Sequence, residues 1–565
     1  MEMEKKNVAI IVLVIALVAS GIGNIFLIIP YLTVTAPANV TYIRATGAGP
    51  HTLDPMNSWD SASNDVIDQV CEALFAYNFT DLAMPRYNEL AETYFWASGT
   101  ELQIKLREDI TFHDGYAFNA TVVKWNFDRL NYLCGIVDGP QDRMIPFNDT
   151  KPSTTPAAEA SSLYFLPDGK PIFNRTVVVS EYNVTIYLNE PFAAFLDLLC
   201  FQASYMVSPL STPATAYIEL YERVIGTGPY KFVSFTSGVE VRFERNDNYW
   251  QPRAFFQYVV FALMASATAR SNAMLAHQVD AVSGPLSSLI PTFDADPTIT
   301  VDYFTDRTGI TSLAYYYLGL NNNLLNVTWR KAISYAINYT YINKNVYNDL
   351  VVRANSPIAP GYGDAYNASV TAASYDLTIA RQTMVSMGFG DMGWTTAQWR
   401  AATPFMTVNY SYNTDNQNRA DISPLVTTWL RDIGIEVLDD GITWDAFLDK
   451  LYVFHDQLGI YWVGWGPDYL DPFNMLDPLF NPASSSDSAQ VDDAYLNAQL
   501  ALALATTDDV ARNNIYKHIQ WYLVESQYVH AFGMHPKLTS VYDSHIHGVA
   551  LNAKQDLYLY SIYRS

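Results

Sequence analysis

Apolar and polar positions along the chain follow two different periods. Alternation with a period of two marks strands at Tyr42–Ala45, Leu102–Leu106, Thr176–Leu188 and Val239–Phe243. Apolar residues returning every three or four positions predict helices instead. That spacing covers Asp65–Tyr77 through Val66, Ile67, Val70 and Leu74, which places Cys71 inside a helix, and it returns at Thr121–Leu130. Past residue 310 helical stretches at Trp329–Ile337, Leu377–Met387, Ile422–Ile433, Asp445–Leu451 and Asp508–Leu523 alternate with strand signals. Both periods mixed over such a length predict two α/β lobes, and no fixed-period repeat points to a solenoid or propeller. Between Cys134 and Arg175 the chain is rich in Pro, Asp, Gly, Ser and Ala, the composition of a long surface insertion.

The first segment follows neither period. Residues 1–7 carry Lys5 and Lys6, and a nearly unbroken apolar run follows from Val8 to Leu32. As a helix, a run of roughly 25 residues would span about 37 Å, enough to cross a hydrocarbon core, and it exceeds an ordinary secretory apolar region. An uncleaved anchor at 8–32 is therefore expected, with a removed signal and a secreted protein as the alternative, 1–7 as a cytoplasmic stub, 33–40 as a linker and the bulk outside the cell. Asn-X-Ser/Thr acceptor sequences at Asn39, Asn78, Asn119, Asn148, Asn174, Asn183, Asn326, Asn338, Asn367 and Asn409 suit an exported, glycosylated protein.

With 565 residues, half of them apolar, the chain can bury more than one core. Its formal charge of −24 repels phosphate backbones, so no nucleic-acid partner is expected. Cys71, Cys134 and Cys200 have no metal-ligand spacing; a single Cys134–Cys200 bridge is left open against three buried thiols.

Enzyme signatures are sparse. There is no GxxxxGK[ST], HExxH or GxSxG. The one GxGxxG, Gly388 to Gly393, closes the helix Leu377–Met387 rather than opening one, which is the place of a helix cap and not of a dinucleotide site. His545-Ile-His547 has only Asp543 as a nearby carboxylate, so no metal and no cofactor are expected. The chain is read as a non-enzyme. A secreted hydrolase with carboxylate catalysis and a surface adhesion or sensor protein are the alternatives from other classes.

Several fragments recur in a telling order: Thr52-Leu-Asp-Pro55, Val70-Cys-Glu-Ala-Leu-Phe75, Leu90-Ala-Glu92 and Leu102 to Arg107 with Phe112-His-Asp-Gly115. They are followed by Gly226-Thr-Gly-Pro-Tyr-Lys-Phe232, Arg245 to Trp250, Trp329-Arg-Lys-Ala332 with Ala336-Ile-Asn338, Gly464 to Pro472 and the late helix from Arg512 to Tyr522. This set resembles the extracellular solute-binding protein family 5, the peptide- and nickel-binding receptors of ABC importers, from about residue 40 to the end. Each fragment also has a local reading. The glycines of Gly226-Thr-Gly228 allow backbone angles closed to other residues, His113 belongs to a tight turn, and Tyr249 and Trp250 cap a core.

The resemblance implies a two-lobed, Venus-flytrap fold. A large, multi-segment first lobe would occupy 41–310, with an inserted subdomain at about 76–205, a second lobe 311–510, and 511–565 would return to the first. Ligand would be held between the lobes of a monomer that docks on a permease and its ATPases. By the same resemblance Asp468 would pair with a peptide's α-amino group, and Arg419, just before the helix Ile422–Ile433, with its carboxylate. Trp444, Trp462, Trp465 and Tyr469 would supply flat walls. The abundance of tyrosine past the midpoint, with Tyr315, Tyr316 and Tyr317 consecutive, keeps an oligosaccharide ligand as the alternative.

Overall fold

A computed structural model of the chain describes residues 41–565 apart from 59, 136–143, 145–158, 167, 168 and 415. The apolar run 8–32 and most of the expected 134–175 insertion thus lie outside the described residues, and among the described residues no helix is long and apolar enough to cross a membrane.

Two large mixed sheets organise the molecule. The first has seven strands in the order Ile299–Asp302, Ser540–Asp543, Ala281–Val282, Thr41–Thr46, Tyr258–Leu263, Glu240–Arg245 and Tyr230–Thr236. The second has six, in the order Val351–Arg353, His530–Pro536, Tyr315–Leu320, Ile460–Trp465, Met406–Asn413 and Ile435–Ile442. A smaller four-stranded sheet, Ala91–Ser98, Glu101–Leu106, Asn183–Leu188 and Phe173–Ser180, comes from the segment between. Each large sheet has its own apolar core. A further core joins the four-stranded unit to helices Phe473–Phe480, Ala494–Ala505 and Asp509–Trp521, where Phe192 meets Phe473 edge-on at 6.3 Å.

The chain passes between the large sheets twice. It leaves the first after Asp302 and enters the second at Tyr315; it returns between Pro536 and Ser540, later than the return near residue 511 expected from the sequence. The two crossings are tied to each other. Thr305 Oγ1 accepts from the Leu538 amide at 2.7 Å, Ser312 N donates to Pro536 O at 3.0 Å, and Lys537 Nζ reaches Asp306 at 2.8 Å.

Local departures from the sequence reading have definite causes. The helix expected over Asp65–Tyr77 is only Ser61–Ile67, capped at its start by Asp60. Cys71 lies past its end, because the carbonyls of Gln69 and Val70 accept from the amides of Tyr230 and Gly228 instead of continuing the helix. That pairing also revises the reading of the glycines. Neither Gly226 nor Gly228 has a positive φ, but a β-carbon on Gly226 would lie 2.2 Å from Val70 O and one on Gly228 2.7 Å from it, so close approach is what requires them. The stretch Thr176–Leu188 is a hairpin of two strands rather than one. The three cysteines are free and buried, with Cys200 Sγ on Leu196 O at 3.3 Å, so the Cys134–Cys200 bridge is not formed. The helix Leu377–Ser386 ends in Gly388 at φ +89°, the cap role read for the GxGxxG segment.

Candidate functional site

A cavity of ≈ 760 Å³ opens between the two large sheets, within the range of small-molecule sites. Tyr42 and Arg44, from the central strand of the first sheet, form part of one wall with Ser61, Asn64 and Asp65 of the short helix. The opposite wall comes from the second sheet and the helices beside it: Tyr316, Arg419, Trp444, Tyr452 and the segment Gly464–Asp468. Residues 537–540 and 549–559 close the floor, so the returning chain shapes the site as much as either lobe.

Asp468 lies three residues past the end of the strand Ile460–Trp465 and is only 8 % exposed. Its amide donates to Asn474 Oδ1 at 2.6 Å, and its carboxylate accepts from Asn474 Nδ2 at 3.0 Å. The first contact fixes the Asp468 backbone and the second its carboxylate. Arg419 sits in the first turn of the helix Gln417–Arg431, donates to Asn413 Oδ1 at 2.5 Å and lies 5.6 Å from the Trp444 ring. Burial lowers its pKa below the usual arginine range, and it forms no ion pair among the described residues. Arg44, on the facing wall, has a buried Nε with no hydrogen-bond partner among the described residues. Two cations thus line the cavity with capacity to spare.

The acidic side of the cavity is richer than the sequence suggested. Burial pushes Asp65 up to about 6, with Arg44 opposing the shift. Asp68, held by Gln202 Nε2 and Tyr205 Oη at 2.9 Å each, is pushed up by burial and by Asp556. Lys554 donates to both Asp556 oxygens at 2.8 and 2.7 Å. Burial alone would lower its pKa, but Asp556, Asp68 and Asp468 together hold it above the ordinary lysine value. The result is a cavity with carboxylates and cations on its walls, suited to a ligand that carries both signs.

Of the six residues singled out in the sequence, Asp468, Arg419, Trp444 and Trp465 line this cavity. Trp462 and Tyr469 do not. Trp462 is buried in the second sheet's core against Tyr339, at 6.0 Å, and Tyr469 is buried in the core under the helix Phe473–Phe480. The period of the strand explains the first: Trp462 lies an odd number of positions from Trp465 and points to the other face. Tyr316, Tyr452, Asp65, Asp68, Lys554 and Asp556 were missed. The spacing of Asp65 and Asp68 on one helical face was visible, but nothing local marks the residues of the 549–559 segment.

Other sequence candidates prove structural. His113 Nε2 meets Gly228 O at 2.9 Å and burial lowers its pKa to about 4. Tyr249 Oη and Trp250 Nε1 donate to the buried Glu72 carboxylate at 2.7 and 3.0 Å. His545 pairs with Asp543, and His547 with Ser565.

Residues 87–487 match the bacterial extracellular solute-binding proteins, family 5, and the chain belongs to that family. Among individual proteins it is similar to the glutathione-binding protein GsiB of Pectobacterium atrosepticum, 26 % identical over 490 residues and 85 % of both chains. It is also similar to heme-binding protein A of Haemophilus influenzae, 23 % identical over 506 residues, 86 % of this chain and 85 % of that one. Its fold is that of a two-lobed periplasmic binding protein. A dipeptide-binding protein from a Pseudoalteromonas species in complex with Met-Leu superposes with a TM-score of 0.76 at 20 % identity, over 93 % of this chain and 100 % of the other. The Helicobacter pylori binding protein DppA in complex with peptide STSA gives 0.75 at 19 %, over 93 % and 98 %.

Proposed function

We propose that the cavity captures a short peptide or peptide-like zwitterion and that the closed protein presents it to the permease of an ABC importer. The observation that carries this reading is the placement of Asp468 and Arg419 on one cavity between the lobes, the first oriented by Asn474 and the second without an ion pair among the described residues. Asp468 takes the ligand's ammonium and Arg419 its carboxylate, while Trp444 and Trp465 flank the chain between them. A ligand that touches both lobes binds the closed form better than the open one and shifts the population toward it. No bond is made or broken. The glutathione and dipeptide named for similar proteins support a small peptide, and the run 8–32 serves in this reading as the tether at the outer face of the membrane.

The test is thermal unfolding of residues 41–565 with dipeptides, tripeptides, glutathione and oligosaccharides. A ligand at about 100 times its Kd adds roughly 2.7 kcal/mol. Stabilisation by peptides that disappears in Asp468→Ala supports the reading. Stabilisation by oligosaccharides alone would move the ligand to carbohydrate, with the cavity aromatics as stacking faces, and consumption of the ligand would move the protein to the hydrolases.

A further inference from the structure

The four-stranded sheet presents its inner face to the core through Leu102, Ile104, Val184 and Ile186, all buried. Its outer face has an unexplained apolar patch. Phe95 and Val179, on the two edge strands, are 65 % and 64 % exposed and line a shallow groove of ≈ 340 Å³ on the outer side. An exposed aromatic on an edge strand invites aggregation unless something covers it.

Asn183, the acceptor of the sequence Asn183-Val184-Thr185, lines the same groove and is exposed. The register places it in one row with Lys105 and Thr93, and the next row on that face holds Thr185, Gln103 and Phe95. From Asn183 to Phe95 is two strands across and two residues along, roughly 12 Å from strand spacing and rise. A short oligosaccharide covers that distance. Asn183 Nδ2 donates to Ser180 Oγ at 2.7 Å. A glycosylated amide retains one hydrogen, so that bond survives modification.

We propose that Asn183 carries an N-linked glycan whose first sugars lie along this groove and cover Phe95 and Val179. The donor is an oligosaccharide activated at its anomeric carbon as a lipid-linked diphosphate. The Nδ2–C1 bond forms, the C1–O bond to phosphate breaks, and the amide proton leaves with the departing diphosphate; nothing is oxidised or reduced. The C–H face of a sugar ring meets the electron-rich face of Phe95, while Gln103 and Lys105 supply hydrogen-bonding groups to the hydroxyls beside it.

The test uses the protein purified from the cells that make it. Peptide mass spectrometry is expected to find a glycan mass on the Asn183 peptide, absent in Asn183→Gln and retained in Thr185→Ser. Trimming the glycan from the folded protein, or introducing Asn183→Gln, is expected to raise the fluorescence of a dye that binds exposed apolar surface, whereas Asn174→Gln on the same sheet leaves it unchanged. An Asn183 peptide found only unmodified overturns the proposal. So does a glycan whose removal leaves dye binding as it was, which would mean that another protein covers the groove or nothing does.

Discussion

Asn474 clasps Asp468 at both ends, accepting from its amide and donating to its carboxylate at 2.6 and 3.0 Å. The clasp spans the start of the helix Phe473–Phe480, so the position of the cavity carboxylate is set by helix packing and not by the turn alone.

Asn474→Ala removes both contacts from a residue that is 1 % exposed. We expect peptide affinity to fall about tenfold, equivalent to roughly 1.4 kcal/mol. Calorimetric titration of the variant with the best peptide found for the wild type checks this. An unchanged Kd would mean that Asp468 is held elsewhere or does not meet the ligand.

If Arg419 meets the ligand's carboxylate as proposed, it separates ligands by their C-termini. Arg419→Gln should weaken binding of a free-acid peptide by ten-fold or more, about 1.4 kcal/mol or above, and leave its C-terminal amide nearly unaffected. The informative measurement is the ratio of the two affinities in each protein. Equal losses for acid and amide would assign Arg419 a packing role against Trp444.

Asp54 belongs to the Thr52-Leu-Asp-Pro55 fragment, yet it is fully buried and does not line the cavity. It accepts from Arg129 Nη1 at 3.1 Å, from Met56 N at 3.0 Å and from Ile218 N at 2.9 Å. Asp54→Ala leaves the buried Arg129 guanidinium uncompensated and should cost about 3–5 kcal/mol of stability. Urea unfolding should show most of that loss restored when Arg129→Met is added, because the stranded charge is then gone.

Asp487 gives the chain a pH signature. It is 3 % exposed, its Oδ2 accepts from Val491 N at 2.7 Å, and burial pushes its pKa up to about 8. An unfolded aspartate titrates near pH 4, so between about pH 4 and pH 8 the folded chain binds the extra proton. Stability from this group therefore falls as pH rises through that window. Asp487→Asn, which never ionises, should outlast the wild type in denaturant at pH 8.5 and lose that advantage near pH 4.5; parallel midpoints across the range would sink the assignment.

The strands and most helices were legible because their apolar periods are strong, from Leu102–Leu106 to the helix Val327–Ala336. The run after Ile67 was misread because its apolar spacing fits a helix while its carbonyls are taken by residues 228 and 230, a partnership no local window contains. The cavity was half legible. Asp468 and Arg419 were found through an ordered family pattern, and the period of two could have separated Trp462 from Trp465. Lys554 and Asp556 could not be found, since their role comes from a chain that meets the site nearly 500 residues after Asp68.

The paired crossings between the sheets limit how the protein can search for its ligand. A single connecting segment can twist as well as bend, but two segments bonded side by side, Thr305 to Leu538 and Ser312 to Pro536, would share one easy axis of flexing. In the proposed closure the lobes would then approach along nearly one coordinate, bringing Asp468 to the same facing wall each time. Selectivity would then rest on the fit at the end of that path, and a ligand of the wrong length would stop the movement early instead of finding another way to be held.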